Sequence, residues 1–519
     1  MANRNLFSSV GAYVPEADTR NNAGGRAYAM SPKAALAQMA VTGVFNDTFY
    51  VDAKSQLAKA KALASEVDVT FLAKLAVYAR KEAHMKDMSA YLAAVLASRD
   101  VSLLSRVFDR VVDDGKMLRN FVQMIRSGEA GRRSLGTRPK KLVGAWLNAA
   151  NDAQLLAASV GTSPTLAEVI RLSHPAAADA QREAFFKYVL GREHEAEALP
   201  DVVRALEAFR AGVSQELPKV PFELLTSLDL SANDWKGIAR NASWNQTRMN
   251  LNTFLRHGVF NSAEMVDLVA ARLANPELVA RAKAFPYSLL AAYMNADAAM
   301  PRKITNALQD ALEYAVENVP AFGVEAEVLV DVSSSMKDPV TGRRVGASSK
   351  VRCVDVAALF AAAVLRKNPT ANAMLFNTQV LSLDVNPRDS IMTNAAKMGA
   401  KATGGTNCSC SLAELNRRGS KAQLVIMVSD NESWADPHGA RASKATAVME
   451  QWKQYKRRNP RAKLVCLDMT PDTTSQAKDQ HDVLNIGGFS DAVFKTIGLF
   501  AENKLTANHW VGEIEKVEL

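Results

Sequence analysis

The sequence predicts a multidomain chain in which a long all-α array is followed by an α/β domain with a doubly wound parallel sheet. Three observations carry that expectation. The 519 residues exceed what one ordinary domain holds. From residue 31 to about 320 the chain reads as short apolar-periodic segments without β-rich runs between them. From Val324 onward, short β-branched runs alternate with helical ones.

Taken in order, residues 1–30 are polar and rich in glycine and asparagine, centred on Arg20-Asn21-Asn22-Ala23-Gly24-Gly25-Arg26. They are expected to run as an extended arm. Ser31 and Pro32 then supply an N-cap and a first-turn proline. Helical spacing follows over 34–41, 55–65, 71–82, 89–97, 117–125, 141–149 and 202–211, and again over 263–273 and 304–317. Leu72, Leu75, Ala76 and Ala79 show the pattern, falling on one helical face. So many short helices without strands predict stacked pairs resembling HEAT repeats, not a four-helix bundle. Pro320-Ala321-Phe322-Gly323 breaks the series.

In the last third, strands are expected at 327–331, 373–376, 424–429, 463–468 and 482–486. Helices are expected at 354–366, 411–417, 442–457 and 491–501. That alternation predicts a Rossmann-like sheet with ligands at the carboxyl ends of its strands. The domains expected are therefore an arm at 1–30, a helical array at 31–320, an α/β domain at 324–501 and a tail at 502–519. Trp510, Val511, Ile514 and Val517 make the tail amphipathic, so it is expected to dock on the body.

Composition excludes several classes. The apolar fraction of 48% with 23% charged residues is ordinary for globular domains. The apolar run 354–365 is too short to span a bilayer, and no secretory signal opens the chain, so no membrane partner is expected. Four cysteines at no zinc-finger spacing suggest free thiols in a cytoplasmic protein. The net charge of +9 is concentrated: residues 101–150 hold ten Lys/Arg against four Asp/Glu. A surplus so local points to an anionic partner.

Two stretches carry chemistry. Asp331-Val332-Ser333-Ser334-Ser335 lies where the first strand opens into a loop. Gly404-Gly405-Thr406 and Ser429-Asp430 lie at two further strand ends. Asp331, Ser333, Ser335, Thr406 and Asp430 are hard oxygen ligands that suit a divalent cation, Mg²⁺ above all. Hydroxyls neutralise little of its charge, so an open position should attract an acidic group. Nearby Glu432 reads as a surface carboxylate or as a group near the ion, and Arg343, Arg344 and Lys350 as a solvated loop or an anion contact. The second stretch runs from Arg126 to Lys141, where Arg126, Arg132, Arg133, Arg138, Lys140 and Lys141 face one acid, Glu129. Its three glycines and Pro139 make it a loop before a helix, able to wrap phosphates or to serve as a solvated face. Arg171-Leu172-Ser173-His174 ends a later helix, where His174 either packs or reaches a phosphate or base.

D-x-S-x-S with a downstream Thr and Asp resembles the metal-ion-dependent adhesion site of von Willebrand factor A domains. Read with N-N-A-G-G-R, the basic loop, R-L-S-H, F-P-Y near residue 286 and S-D-N-E-S-W, the whole chain resembles the Ro autoantigen family. These are the TROVE-domain ribonucleoproteins, and the likeness is to a bacterial member. The resemblance implies a ring of HEAT-like repeats closed by the A domain. It implies Y-type small RNA on the outer surface and 3′ single-stranded ends of misfolded noncoding RNA in a positively charged hole. By the same likeness His174, Lys140 and Lys141 fall on Y RNA-contacting positions. Arg126, Arg132, Arg133, Arg138 and Arg171 join them on charge. Residues 161–166 lack the basic groups expected there, and Asn407 stands where relatives often carry Asp.

No paired carboxylates of two-metal type, nucleophile–base pair or P-loop stands in the sequence, so a binding protein is expected rather than an enzyme. One chain per RNA is expected, with an exoribonuclease as a further partner. The competing expectation is a protein-binding scaffold that grips acidic partners through the metal site.

Overall fold

The computed structural model describes residues 14–519 apart from 43–44, 227, 283, 285, 344–348, 383–384, 437–443, 489–490 and 505–508. Arg344 and the phenylalanine of F-P-Y lie outside the described residues. The chain divides into two compact units. One joins the residues up to Leu63 to Ala270–Glu513, and the other joins Ala64–Val269 to Ile514–Leu519.

The second unit is helical throughout its described residues. Successive helices include Val69–Lys81, Asp87–Arg99, Val101–Val111, Gly115–Ser127, Thr137–Ala149, Asp152–Ala158 and Leu166–Ser173. Side-chain caps start most of them. Asp68 accepts from the Phe71 amide, Asp100 from Ser102 and Leu103, and Asp114 from Met117. Asn151/Gln154 and Thr165/Glu168 form reciprocal capping boxes. Helices pack on the next and on the next but one, the stacking expected of a repeat array. Leu72, Leu75, Ala76 and Ala79 are all fully buried. The carboxyl terminus packs within this unit: Lys74, Arg106 and Arg110 donate to the backbone carbonyls of Glu515, Leu519 and Glu518. Ile514 is buried.

The first unit is built on two sheets. Thr19–Arg20 (β1) and Arg26–Ala29 (β2) form a hairpin; Ala326–Asp331 (β3), Asn372–Phe376 (β4), Val380–Leu381 (β5), Leu424–Ser429 (β6), Lys463–Asp468 (β7), Thr474–Ser475 (β8) and Val483–Gly487 (β9) follow. The main sheet has the order β5-β4-β3-β6-β7-β9, parallel except for the β5 edge. Helices Cys353–Lys367, Ile391–Gly399, Cys408–Arg418, Ala447–Arg458 and Asp491–Ala501 come between or after the strands. Every residue of β6 and β7 is buried, which explains their continuous apolar text. The chain leaves β3 toward β4 and later returns to its other side as β6, so the topological switch lies between β3 and β6.

The described part of the arm, residues 14–30, is built into this unit. β2 pairs with β8 with Tyr28 opposite Ser475, giving a small sheet β1-β2-β8. Tyr28 is only 1% exposed, among Trp452, Tyr455, Leu329 and Val425. Among the described residues, no helix is long and apolar enough to cross a membrane.

Candidate metal centre and candidate nucleic-acid interface

The switch point brings the sequence-predicted metal ligands together. Asp331 closes β3, and Asp430 follows β6 directly. Ser333 and Ser335 lie in the first loop with their hydroxyls 3.1 Å apart. The Ser333 amide donates to Asp331 Oδ1 at 2.8 Å, and the Ser429 hydroxyl to Asp331 Oδ2 at 2.6 Å. The second loop is tied to the first, with Thr403 N donating to Val332 O and Ser334 N to Gly404 O. Gly404 has φ +82°, a left-handed value that favours glycine, and at Gly405 a Cβ would meet the Trp434 ring at 2.6 Å. Asn407 accepts from Cys410 N and from the Ser409 hydroxyl, so it caps Cys408–Arg418. Cys408 and Cys410, next to this loop, are free thiols pushed up by burial.

Asp331, Ser333, Ser335, Thr406 and Asp430 are all buried. Burial raises both Asp331 and Asp430, and Asp430 raises Asp331 further. Asp468, the last residue of β7, is pushed well up by burial as well. None of these three carboxylates pairs with a lysine or arginine among the described residues. Buried ions left unpaired cost several kcal/mol each, on the order of the general penalty for desolvated charge. The Thr406 hydroxyl is buried without a hydrogen-bond partner. Uncompensated carboxylates, converging hydroxyls and an orphaned Oγ are what a hard divalent cation would satisfy, so the donor set fits one.

The third loop departs from expectation. Glu432 is not a surface carboxylate: it is 5% exposed and pushed up to about 7 by burial. The reason is the arm. Asn22 Nδ2 donates to Glu432 Oε1 at 2.7 Å, and the Ala23 amide donates to Oε2 at 3.0 Å. Asn21 Nδ2 donates to Ser433 O at 2.9 Å. At Gly25 a Cβ would lie 2.0 Å from that same oxygen, so glycine alone lets the backbones approach. N-N-A-G-G and S-D-N-E-S-W are thus two halves of one clasp.

Tyr50 stands beside this loop. Its half-buried phenol is raised above the usual tyrosine range, by burial first and then by Asp430, Glu432 and Asp331, with Ser335 pulling the other way. Tyr50, Asn22, Lys59, Glu432 and Asp472 line a cavity of about 40 Å³, with Lys59 paired to Asp472. In the first loop Arg343 pairs with Asp338, and Lys350 is exposed.

In the helical unit the basic stretch divides by role. Arg132 is committed to structure: its guanidinium donates to Ser134 O and to Ala97 O, each at 2.7 Å. Arg133 lies across Gly128, where a Cβ would meet its Nε at 3.0 Å. Arg126, Arg138 and Lys141 are exposed, and Lys140 is half-buried. Helix Thr137–Ala149 has Gly136 as N-cap without a side-chain hydrogen bond, so its first amides lack that partner.

His174 ends Leu166–Ser173 in the left-handed conformation, with φ +48°. It is exposed, and its neighbour Pro175 lies against Gly144, 3.5 Å from where a Cβ would stand. Asn148 donates to Ala176 O at 2.9 Å and accepts from Ala178 N. Lys140 and Lys141 lie one helical turn before Gly144, so the two lysines and His174 occupy one neighbourhood. Arg126 and Arg171 both lie near Glu168 and hold it low, after its hydrogen bonds with Thr165.

Arg119 was not foreseen. Its Nη1 lies 3.5 Å from Pro164 O, and a Cβ at Gly161 would fall 1.9 Å from it. A guanidinium from another helix therefore reaches the stretch 161–166 that lacks basic residues of its own. The usable signal was the polar stripe Lys116, Arg119, Gln123 and Arg126 along one face of Gly115–Ser127.

Comparison with known proteins agrees with this architecture. Residues 327–501 match the family model described as the Ro60 vWA domain. The chain is 24% identical over 540 aligned residues to the RNA-binding protein RO60 of Deinococcus radiodurans, covering 95% of this chain and 97% of that protein. The crystal structure of the Deinococcus radiodurans Ro (RSR) protein superposes with a TM-score of 0.63 at 21% identity, covering 92% of this chain and all of that one. Residues 327–501 thus match a vWA domain of the Ro60 type, and the chain is similar to the Deinococcus radiodurans Ro protein in sequence and in fold nearly end to end.

Proposed function

We propose that this chain binds RNA as a ribonucleoprotein and takes part in noncoding-RNA quality control. The observation that carries the reading is the meeting of Lys140, Lys141 and His174 in one neighbourhood of the helical unit, with Arg171 three residues before His174. The RNA-binding relative supports it. Small structured RNAs of Y type bind this surface. The 3′ single-stranded ends of misfolded RNAs enter the hole of the ring that the family resemblance implies. Phosphate contacts supply most of the affinity, and folded RNA is read by shape. The chain acts in the cytoplasm as a binder without enzymatic activity of its own, one chain per RNA, and an exoribonuclease joins through a separate surface.

Mg²⁺ is held by Asp331, Ser333, Ser335, Thr406 and Asp430. Bound there, it neutralises the buried carboxylates and fixes three loops. The alternative reading is a scaffold gripping acidic partners through this ion; the RNA-binding relative favours the first reading. The deciding experiment is to purify the chain from cells and read its absorbance ratio before and after nuclease treatment, then sequence cross-linked RNA. Nuclease-sensitive material enriched in small structured RNA is expected. A preparation free of RNA that retains an acidic protein partner would favour the scaffold.

A further inference from the structure

The amino-terminal edge of the main sheet carries a second basic surface. It lies at the opposite strand ends from Asp331 and Asp430; six strand residues at about 3.3 Å each put roughly 20 Å between the two ends. Helices Cys408–Arg418 and Ala447–Arg458 finish side by side here, just before β6 and β7 begin. Their ends and the loops beyond present Arg417, Arg418, Lys421, Arg457, Arg458 and Arg461, all exposed.

The surface is held stiffly. Arg458 Nη2 donates to Asn416 Oδ1 at 2.9 Å, and its guanidinium lies over the Tyr455 ring at 5.9 Å. Asn459 Nδ2 donates to Ser420 O at 2.9 Å, and the Tyr455 hydroxyl donates to Ala422 O at 2.8 Å. Lys456 and Asp482, also at this edge, pair with each other at 3.2 Å. Three further acids answer the six cations. Glu414 is shared by Arg417 and Arg418, both at 2.6 Å, and Glu325 and Glu327 stand at the start of β3. Lys421, Arg457 and Arg461 have no ion-pair partner among the described residues.

Basic residues in a last helical turn are often explained by the helix dipole. That reason covers Arg417, Arg418, Arg457 and Arg458. It does not cover Lys421 or Arg461, which lie past the helix ends. The patch also lacks the apolar anchor that protein interfaces are built around. Among the described residues the large exposed hydrophobics are Phe49, Val213, Met249, Tyr314 and Trp434, none of which belongs to it. A rigid, cationic, hydrophobe-free surface suits a phosphate backbone.

We infer that this edge of the A domain is a second RNA-contacting surface, which engages the phosphates of a bound RNA without reading its sequence. The inference rests on the RNA-binding reading above. Its test is the full chain with Lys421, Arg457 and Arg461 changed to Ala, titrated with a single-stranded oligonucleotide and with a structured small RNA at several salt concentrations. Losing three single-strand phosphate contacts should lower the salt slope by about two, worth up to about 50-fold in affinity at 0.15 M salt. Arg457→Lys with Arg461→Lys should retain most of the binding, since a phosphate accepts either cation. A folded triple variant with wild-type affinity and slope for both RNAs overturns the inference and leaves the RNA reading intact. A wild-type chain that binds neither RNA overturns both. Loss of an acidic protein partner with unchanged RNA binding overturns the inference in favour of a protein interface.

Discussion

Gly25 and Gly24 are adjacent, yet substitution to alanine should affect them very differently. Gly24 has φ +84° with nothing within 4 Å of an added Cβ, so Gly24→Ala meets only backbone strain. That strain is about 1 kcal/mol. Gly25 has an ordinary φ, but its Cβ would stand 2.0 Å from Ser433 O and 3.2 Å from Asn21 Nδ2. The two backbones must separate by more than an ångström, stretching the Asn21–Ser433 bond of 2.9 Å and both bonds to Glu432. One neutral hydrogen bond at about 1 kcal/mol and two to a carboxylate at about 1.5–3 kcal/mol each give about 4–7 kcal/mol for the intact clasp. Opening it also exposes Tyr28. The assay is hydrogen exchange at Ala23 and Met30, whose amides are bonded to Glu432 and Thr473, read alongside urea unfolding. Gly25→Ala should deprotect both amides by orders of magnitude, and Gly24→Ala by about fivefold. Equal effects of the two variants, or protection retained in Gly25→Ala, would refute the clasp as a close-approach device.

Changing Lys140 and Lys141 to Ala should weaken small-RNA binding and lower the salt slope by about two for a duplex, one per phosphate contact; an unchanged slope sinks that placement. His174→Asn keeps a residue tolerant of the left-handed cap, so its fold should survive while Y-type RNA affinity falls. Undiminished affinity in a filter-binding assay would return His174 to a capping role alone. Mg²⁺ at a hundred times its dissociation constant should stabilise the wild type by about 2.7 kcal/mol. Asp331→Ala should abolish that increment in a thermal melt with and without chelator, and an undiminished increment would move the ion elsewhere. Tyr50→Ala should raise the water-proton relaxivity of bound Mn²⁺ by uncovering the site, whereas equal relaxivity would mean that the phenol covers nothing.

Much of the α/β domain was legible because burial on both faces writes a strand as a continuous apolar run. β6 and β7 fall at 424–429 and 463–468 as read. Two-residue strands such as β5 and β8 carry no such text, and helix Ile391–Gly399 was missed because its polar flanks hide the period. The five residues proposed to hold the ion stand out in sequence because each sits at the end of a recognisable strand or in a glycine-marked loop. The cover over them was not. Glu432 is identified only by a partner 410 residues away along the chain, and no local pattern encodes a distance of that kind.

The basic stretch shows the same limit from the other side. Arg132, Arg133 and Arg138 look alike in sequence, yet Arg132 closes its own loop on two carbonyls while Arg138 stands in solvent. Charge counting locates a polyanion surface, but the assignment of each guanidinium depends on which carbonyls lack other donors nearby. The clasp gives that principle a functional form. Asn21, Asn22 and Ala23 spend their donors on Ser433 and Glu432, so the loop bearing Asp430 is held by the arm even before any cation binds. The loop next to the acidic motif is therefore fastened from within the chain, by donors more than 400 residues away.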